Sequence, residues 1–285
     1  MPFFHIGDVA IEYQQQGAGG IPIVFVHPPC ITSALFSNLN TELDAAGPII
    51  AFNIRGHGAS ESGPARLSLA LIAEDMKHVL DQCDVEKAYL CGYGAASFPI
   101  IMALYTYPER FCGGILISGA ASYTDISTRS KLQATFISSI LKAKSSIVKQ
   151  AVRMETENKA VVSTLFEQAM QGDPIKWKEY AEACLNASFD RELHHIKQPM
   201  LLLCGAEDQI SRSLSEHMYG QLPNAEFFGV VGAQRQLLVK ETTKTAFVMR
   251  MWLANQQQPE RVDTFEERSE WLEDLVSHGV EEQMV

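Results

Sequence analysis

A chain of 285 residues can bury a sizeable core in one large α/β unit, and 46% hydrophobic with 20% charged residues is the composition of an ordinary globular protein, not a disordered or fibrous one. Its 34 acidic against 23 basic side chains give a net charge of −11, which argues against nucleic acid and membrane partners, since both need clustered Lys and Arg. No apolar run approaches the roughly 20 residues that span a bilayer, and Met1 to Gln16 lacks the pattern of a secretion signal, so a cytoplasmic location is expected.

Short apolar, β-branched runs alternate with longer segments of helical period, which predicts a parallel sheet covered by helices. In chain order the strands fall near Phe3 to Ile6, Val9 to Gln14, Ile21 to His27, Pro48 to Ile54, Lys87 to Gly92, Gly113 to Ser118, Met200 to Gly205 and Ala225 to Val231. The opening pair can close as a hairpin across Gly7 and Asp8. Helices are expected near Leu35 to Ala45, Ser68 to Cys83, Ala95 to Tyr107, Ser213 to Gln221 and Thr243 to Asn255.

Residues 121–193 break this rhythm with amphipathic helical pattern between two strands, and they read as a helical cap inserted in a core formed by residues 1–120 and 194–257. Such helices suit the C-terminal edge of an open α/β sheet, where ligands bind, so a pocket for a small molecule under the cap is expected. Pro259 ends the last core helix and opens an acidic tail, 258–285. There Phe265, Trp271, Leu272 and Leu275 among Glu266, Glu267, Glu270, Glu273 and Asp274 suggest an amphipathic helix, packed on the domain or docking a protein partner.

Six scattered cysteines show no CxxC spacing, and no HExxH or clustered His and Asp spacing marks a metal site. Cys91, Cys112 and Cys204 lie in or beside apolar runs, where a thiol serves as a small hydrophobe. Gly92-Tyr93-Gly94 is too short to signal a dinucleotide site. No metal and no cofactor is expected.

The chemistry should lie where Ala88 to Pro99, AYLCGYGAASFP, takes the form of strand, tight turn and helix. Together with His27-Pro28-Pro29, Arg55-Gly56-His57-Gly58-Ala59-Ser60 and Gly205-Ala206-Glu207-Asp208, kept in that order, this turn resembles the α/β-hydrolase superfamily over Ile21 to Trp252. The resemblance is notable to bacterial members that carry HPP after the third strand and a GYSTGG-like elbow. The resemblance implies a mostly parallel eight-stranded sheet flanked by helices, with a capped pocket.

In active members of that superfamily the turn reads G-x-S-x-G, followed along the chain by an Asp or Glu and then a His. Here Gly94 takes the nucleophile's place and Ala96 that of the last glycine, while Asp208 resembles the family's acid. The alternative is a turn aspartate capping the next helix. Arg235 stands where the histidine is expected, and no histidine occurs between His217 and His278. Arginine keeps its proton near neutral pH and cannot serve as general base. An ion pair between Arg235 and Asp208 would make the former triad corner a strut.

By the same resemblance the oxyanion region comprises the N–H of Ala95 and one from the loop of Pro29 and Cys30, where Pro28 and Pro29 have none to give. Among other nucleophiles, Ser97 lies one helical turn past the crest and should bind its own helix backbone. Cys30 at the pocket mouth and Tyr93 beside it have no evident base. His27 and His57 read as loop-stabilising. The degenerate triad points to a non-catalytic binding or regulatory pseudo-hydrolase; the alternative is an ester hydrolase, or another enzyme, using displaced residues in the same pocket.

Overall fold

The computed structural model describes residues 2–43, 47–123, 129–130, 144–156 and 158–256. The tail expected over 258–285 lies outside the described residues, as does part of the segment between the sixth and seventh strands.

Eight strands form one sheet in the order β1-β2-β4-β3-β5-β6-β7-β8. They are β1 (Phe3–Ile6), β2 (Val9–Gln16), β3 (Ile23–Val26), β4 (Ile49–Phe52), β5 (Ala88–Tyr93), β6 (Phe111–Ile117), β7 (Met200–Gly205) and β8 (Ala225–Val230). The first two form the hairpin and meet β4 antiparallel; every pairing from β4 to β8 is parallel. Each strand lies within two residues of its expected bounds. The main correction is at the start of the helix after β7, which begins at Gln209 rather than Ser213.

β3, β4 and β5 are buried along their whole length because helices cover both faces. Alternate side chains go to opposite faces: Val24, Ile50, Leu90 and Leu202 join one core, and Phe25, Ala51, Cys91 and Leu203 the other. Helices α2 (Leu69–Gln82) and α3 (Ser97–Thr106) fill the first side. Helix α1 (Ser37–Leu43) and the last helix, Thr242–Gln256, fill the second. Between β6 and β7 run α4 (Lys144–Glu155), α5 (Lys159–Ala169) and α6 (Pro174–Asn186). After β7 come α7 (Gln209–Tyr219), α8 (Leu237–Lys240) and that last helix, α9. Among the described residues no helix is long and apolar enough to cross a membrane.

From β3 the chain steps to β4 on one side and then to β5 on the other, so the loops leaving β3 and β5 diverge at their C-terminal ends and open a crevice. Helix α6 is stitched across that crevice. Trp177 Nε1 donates to Gly56 O at 3.1 Å, and the Tyr180 hydroxyl donates to His27 O at 3.3 Å. The loop after β4 is fixed beneath it by Arg55, whose Nε and Nη2 donate to Asp75 of α2 at 2.7 and 2.8 Å.

Candidate functional site

At the end of β5 the backbone turns sharply through Gly94, whose φ is +56°, and a short 3₁₀ turn, Gly94–Ala96, leads into α3. That conformation is disfavoured for residues bearing a Cβ, so glycine relaxes a turn that a serine would strain. Among the described residues beyond its chain neighbours, a Cβ built on Gly94 would have one neighbour within 4 Å, the Arg235 Nη2 at 3.8 Å. The turn therefore has room for a side chain but carries none.

Arg235 reaches this point because the loop after β8 crosses closely over the end of β7. At Gly205 a Cβ would collide with the carbonyls of Ala233 and Gln234. The loop is pinned on its other side by the Tyr93 hydroxyl, which donates to Arg235 O at 2.9 Å. The guanidinium carbon lies 6.0 Å from the centre of the Tyr93 ring. Burial opposes its charge, but the neighbouring Tyr93 and Glu155 oxygens outweigh burial and keep the guanidinium protonated.

The expected ion pair between Arg235 and Asp208 does not form. Asp208 turns away to cap α7: its Oδ1 accepts from Ser211 N at 3.2 Å and its Oδ2 from the Ser211 hydroxyl at 2.6 Å. Capping wins because four N–H groups at a helix start lack partners inside the helix, and an aspartate one residue before it satisfies one of them locally. Arg235 instead shares its surroundings with Glu155, the last residue of α4. Among the described residues no carboxylate lies within 4.0 Å of the guanidinium, and the buried Nε has no hydrogen-bond partner.

A cavity of about 100 Å³ lies over Gly94. Its floor comes from Pro29, Cys30, Tyr93, Gly94 and Ala95, and Arg235 closes one side. Its other walls include Ile147, Ala151, Met154 and Glu155 of α4 and Ala181 of α6. Burial pushes the Glu155 carboxyl above its usual range, against the opposing pull of Arg235 and Tyr93. Burial likewise raises the Tyr93 hydroxyl. Cys30 has a φ of +69°, and burial pushes its thiol up to about 12. A left-handed φ strains a residue with a side chain, and a thiol so hard to ionise is a poor nucleophile.

The remaining polar candidates are tied down. Ser97 is buried, and its hydroxyl has Ala120 O at 2.6 Å and Gly94 O at 2.8 Å as acceptors while it accepts from Ala120 N at 3.0 Å. His27 Nε2 accepts from Ile54 N at 2.9 Å, which leaves Nδ1–H to donate to Pro28 O at 3.0 Å. Burial pushes His27 down to about 4, and burial together with His27 pushes His57 well below its usual range. The rings lie 4.8 Å apart and do not line the cavity; His57 Nδ1 has Arg55 O at 3.1 Å, and its buried Nε2 has no hydrogen-bond partner among the described residues.

Glu155 was not singled out by sequence, although a signal existed. Val148, Val152 and Glu155 fall at i, i+4 and i+7, so helical period places this glutamate on the face of α4 that its buried valines define.

Two solved structures share this fold at low identity. One is the enol-lactonase from Burkholderia xenovorans, with a TM-score of 0.77 and 15% identity over 89% of this chain and 100% of that one. The other, with a TM-score of 0.77 and 15% identity over 89% and 98%, comes from a study of carboxylesterases of Nitrososphaera gargenis. By sequence, 3-oxoadipate enol-lactonase 2 of Acinetobacter baylyi is 23% identical over 74% of this chain and 83% of its own length. The family described as serine aminopeptidase, S33 matches residues 22–229. That match takes in every strand from β3 through β7 and the turn at Gly94, and the chain belongs to this family, on the α/β-hydrolase fold.

Proposed function

We propose that this chain is a non-catalytic member of its family that binds a small molecule in the pocket over Gly94. In this reading residues 121–193 form the cap, Gly94 holds the nucleophile's position and Arg235 the histidine's. The observation that carries it is the Arg235 Nη2 lying 3.8 Å from where a Cβ on Gly94 would be. A permanently charged group occupies the space in which a serine and its base would exchange a proton, and it can do neither job. Asp208 supports the same reading, because its carboxylate is engaged by Ser211.

The second reading is a hydrolase that uses displaced residues, and what favours it is that the relatives bear the names of enzymes. Against it stand the Ser97 hydroxyl, engaged by backbone on both its donor and acceptor sides, and the Cys30 thiol, held protonated by burial. The purified chain incubated with p-nitrophenyl esters of graded length and with a serine-reactive fluorophosphonate should show neither turnover nor labelling. Small molecules that fill the pocket should raise its melting temperature without being consumed. Turnover that survives removal of contaminating esterases would overturn the proposal.

A further inference from the structure

Arg235, Cys30 and Ala95 line one cavity at the crest of the turn. Arg235 presents its guanidinium there, with no carboxylate within 4.0 Å among the described residues. Ala95 and Cys30 line the same floor, and α3 starts beneath it, so the partial positive charge of its first turn adds to the cation. A half-buried arginine with no carboxylate in direct contact has unused donors, and its planar fork matches a carboxylate in two parallel hydrogen bonds. Ile31, Ile147, Ala151 and Met154 form an apolar wall within the same cavity.

We propose that the pocket holds a small monocarboxylic acid, its carboxylate on the Arg235 guanidinium above Gly94 and its hydrocarbon part against Ile147, Ala151 and Met154. This rests on the binding-protein reading and names its ligand class. Glu155 is the like charge that such a ligand meets on the wall. It sits more than 4.0 Å from the guanidinium, and burial pushes its carboxyl above the usual range, so its repulsion of the ligand weakens as pH falls. A carboxylate is favoured over phosphate because, among the described residues, Arg235 is the one cation lining the cavity, with the acidic Glu155 beside it, too little positive charge for a dianion.

Calorimetric titration of the full chain with butanoate, benzoate, methyl butanoate and inorganic phosphate, near neutral pH, tests this. A carboxylate should bind and the methyl ester should bind at least about 10-fold more weakly, the loss expected when charged hydrogen bonds go unmade. Arg235→Gln should lower the acid's affinity to that of the ester, and Arg235→Lys should fall between. Equal affinity for acid and ester, unchanged affinity in Arg235→Gln, phosphate in preference to both carboxylates, or no binding of either carboxylate at millimolar concentration would each overturn the proposal. The acid-to-ester preference of the unaltered chain reads out even if a variant fails to fold. Hydrolysis of the methyl ester would sink the non-catalytic reading alone, since the acid's dependence on Arg235 is measured separately.

Discussion

The guanidinium of Arg235 and the backbone crest at Gly94 are neighbours, with 3.8 Å between Nη2 and the point where a Cβ would stand. Gly94→Ser therefore fits without collision, and its penalty is conformational: a φ of +56° costs a residue with a side chain on the order of 1 kcal/mol. The variant should unfold at lower urea concentration, with its unfolding free energy reduced by about 1 kcal/mol. Its new hydroxyl would face a cation that cannot take its proton, so fluorophosphonate labelling should stay absent. Strong labelling of Gly94→Ser would show that another base reaches the turn.

Asp208 separates a structural role from a catalytic one. If it only caps α7 through Ser211, Asp208→Ala should cost about 1 kcal/mol of stability while leaving ligand affinity at Arg235 unchanged. Asp208→Asn and Asp208→Ser, both good caps, should recover most of that loss. Chemical denaturation alongside calorimetry with butanoate distinguishes the cases. A large loss of affinity with intact stability would return Asp208 to the pocket.

The paired imidazoles of His27 and His57 predict acid sensitivity. A histidine held near 4 in the folded chain against 6.5 unfolded binds its proton more weakly when folded. The unfolded chain then takes up more protons between those values, so stability is full above pH 6.5 and falls as pH drops toward 4. For fully buried His27 the difference amounts to about 3 kcal/mol, and His57, lowered by burial and by His27, acts in the same direction. Urea midpoints measured across this range should fall with acidity, and the slope should be shallower in His27→Gln. A flat profile would mean that these rings titrate normally.

The sheet was legible because its strands are apolar runs bounded by turns, and burial on both faces leaves little freedom to such a run. The crest at Gly94 was legible for the same reason, as strand, glycine-bearing turn and helix follow one another without a gap. The partner of Arg235 was not. Chain order put Asp208 and Arg235 in neighbouring loops, but order says nothing of which way a carboxylate turns, and Ser211, three residues away, offered Asp208 a hydrogen bond that needs no long loop to close. Glu155 escaped notice because it comes to the cavity from α4, 80 residues before Arg235 in sequence, and only packing brings the two to one wall.

Glu155 gives the last prediction, and its sign follows from burial. Its carboxyl is pushed above 4.5 in the folded chain, so the folded state holds that proton more tightly than the unfolded state does. The contribution of this group to stability is full below pH 4.5 and is lost as pH rises through the folded value. Near neutral pH the wild-type chain therefore carries a cost that Glu155→Gln lacks, and the variant should be the more stable. The same change removes a negative charge from the wall that faces a bound carboxylate, with Arg235, Tyr93, Cys30 and Tyr123 the other titratable side chains lining the cavity. Butanoate should therefore bind Glu155→Gln more tightly near neutral pH, and its affinity should decline less as pH rises than it does in the wild type. Weaker binding in Glu155→Gln would mean that the protonated carboxyl of Glu155 helps to hold butanoate by donating a hydrogen bond to it.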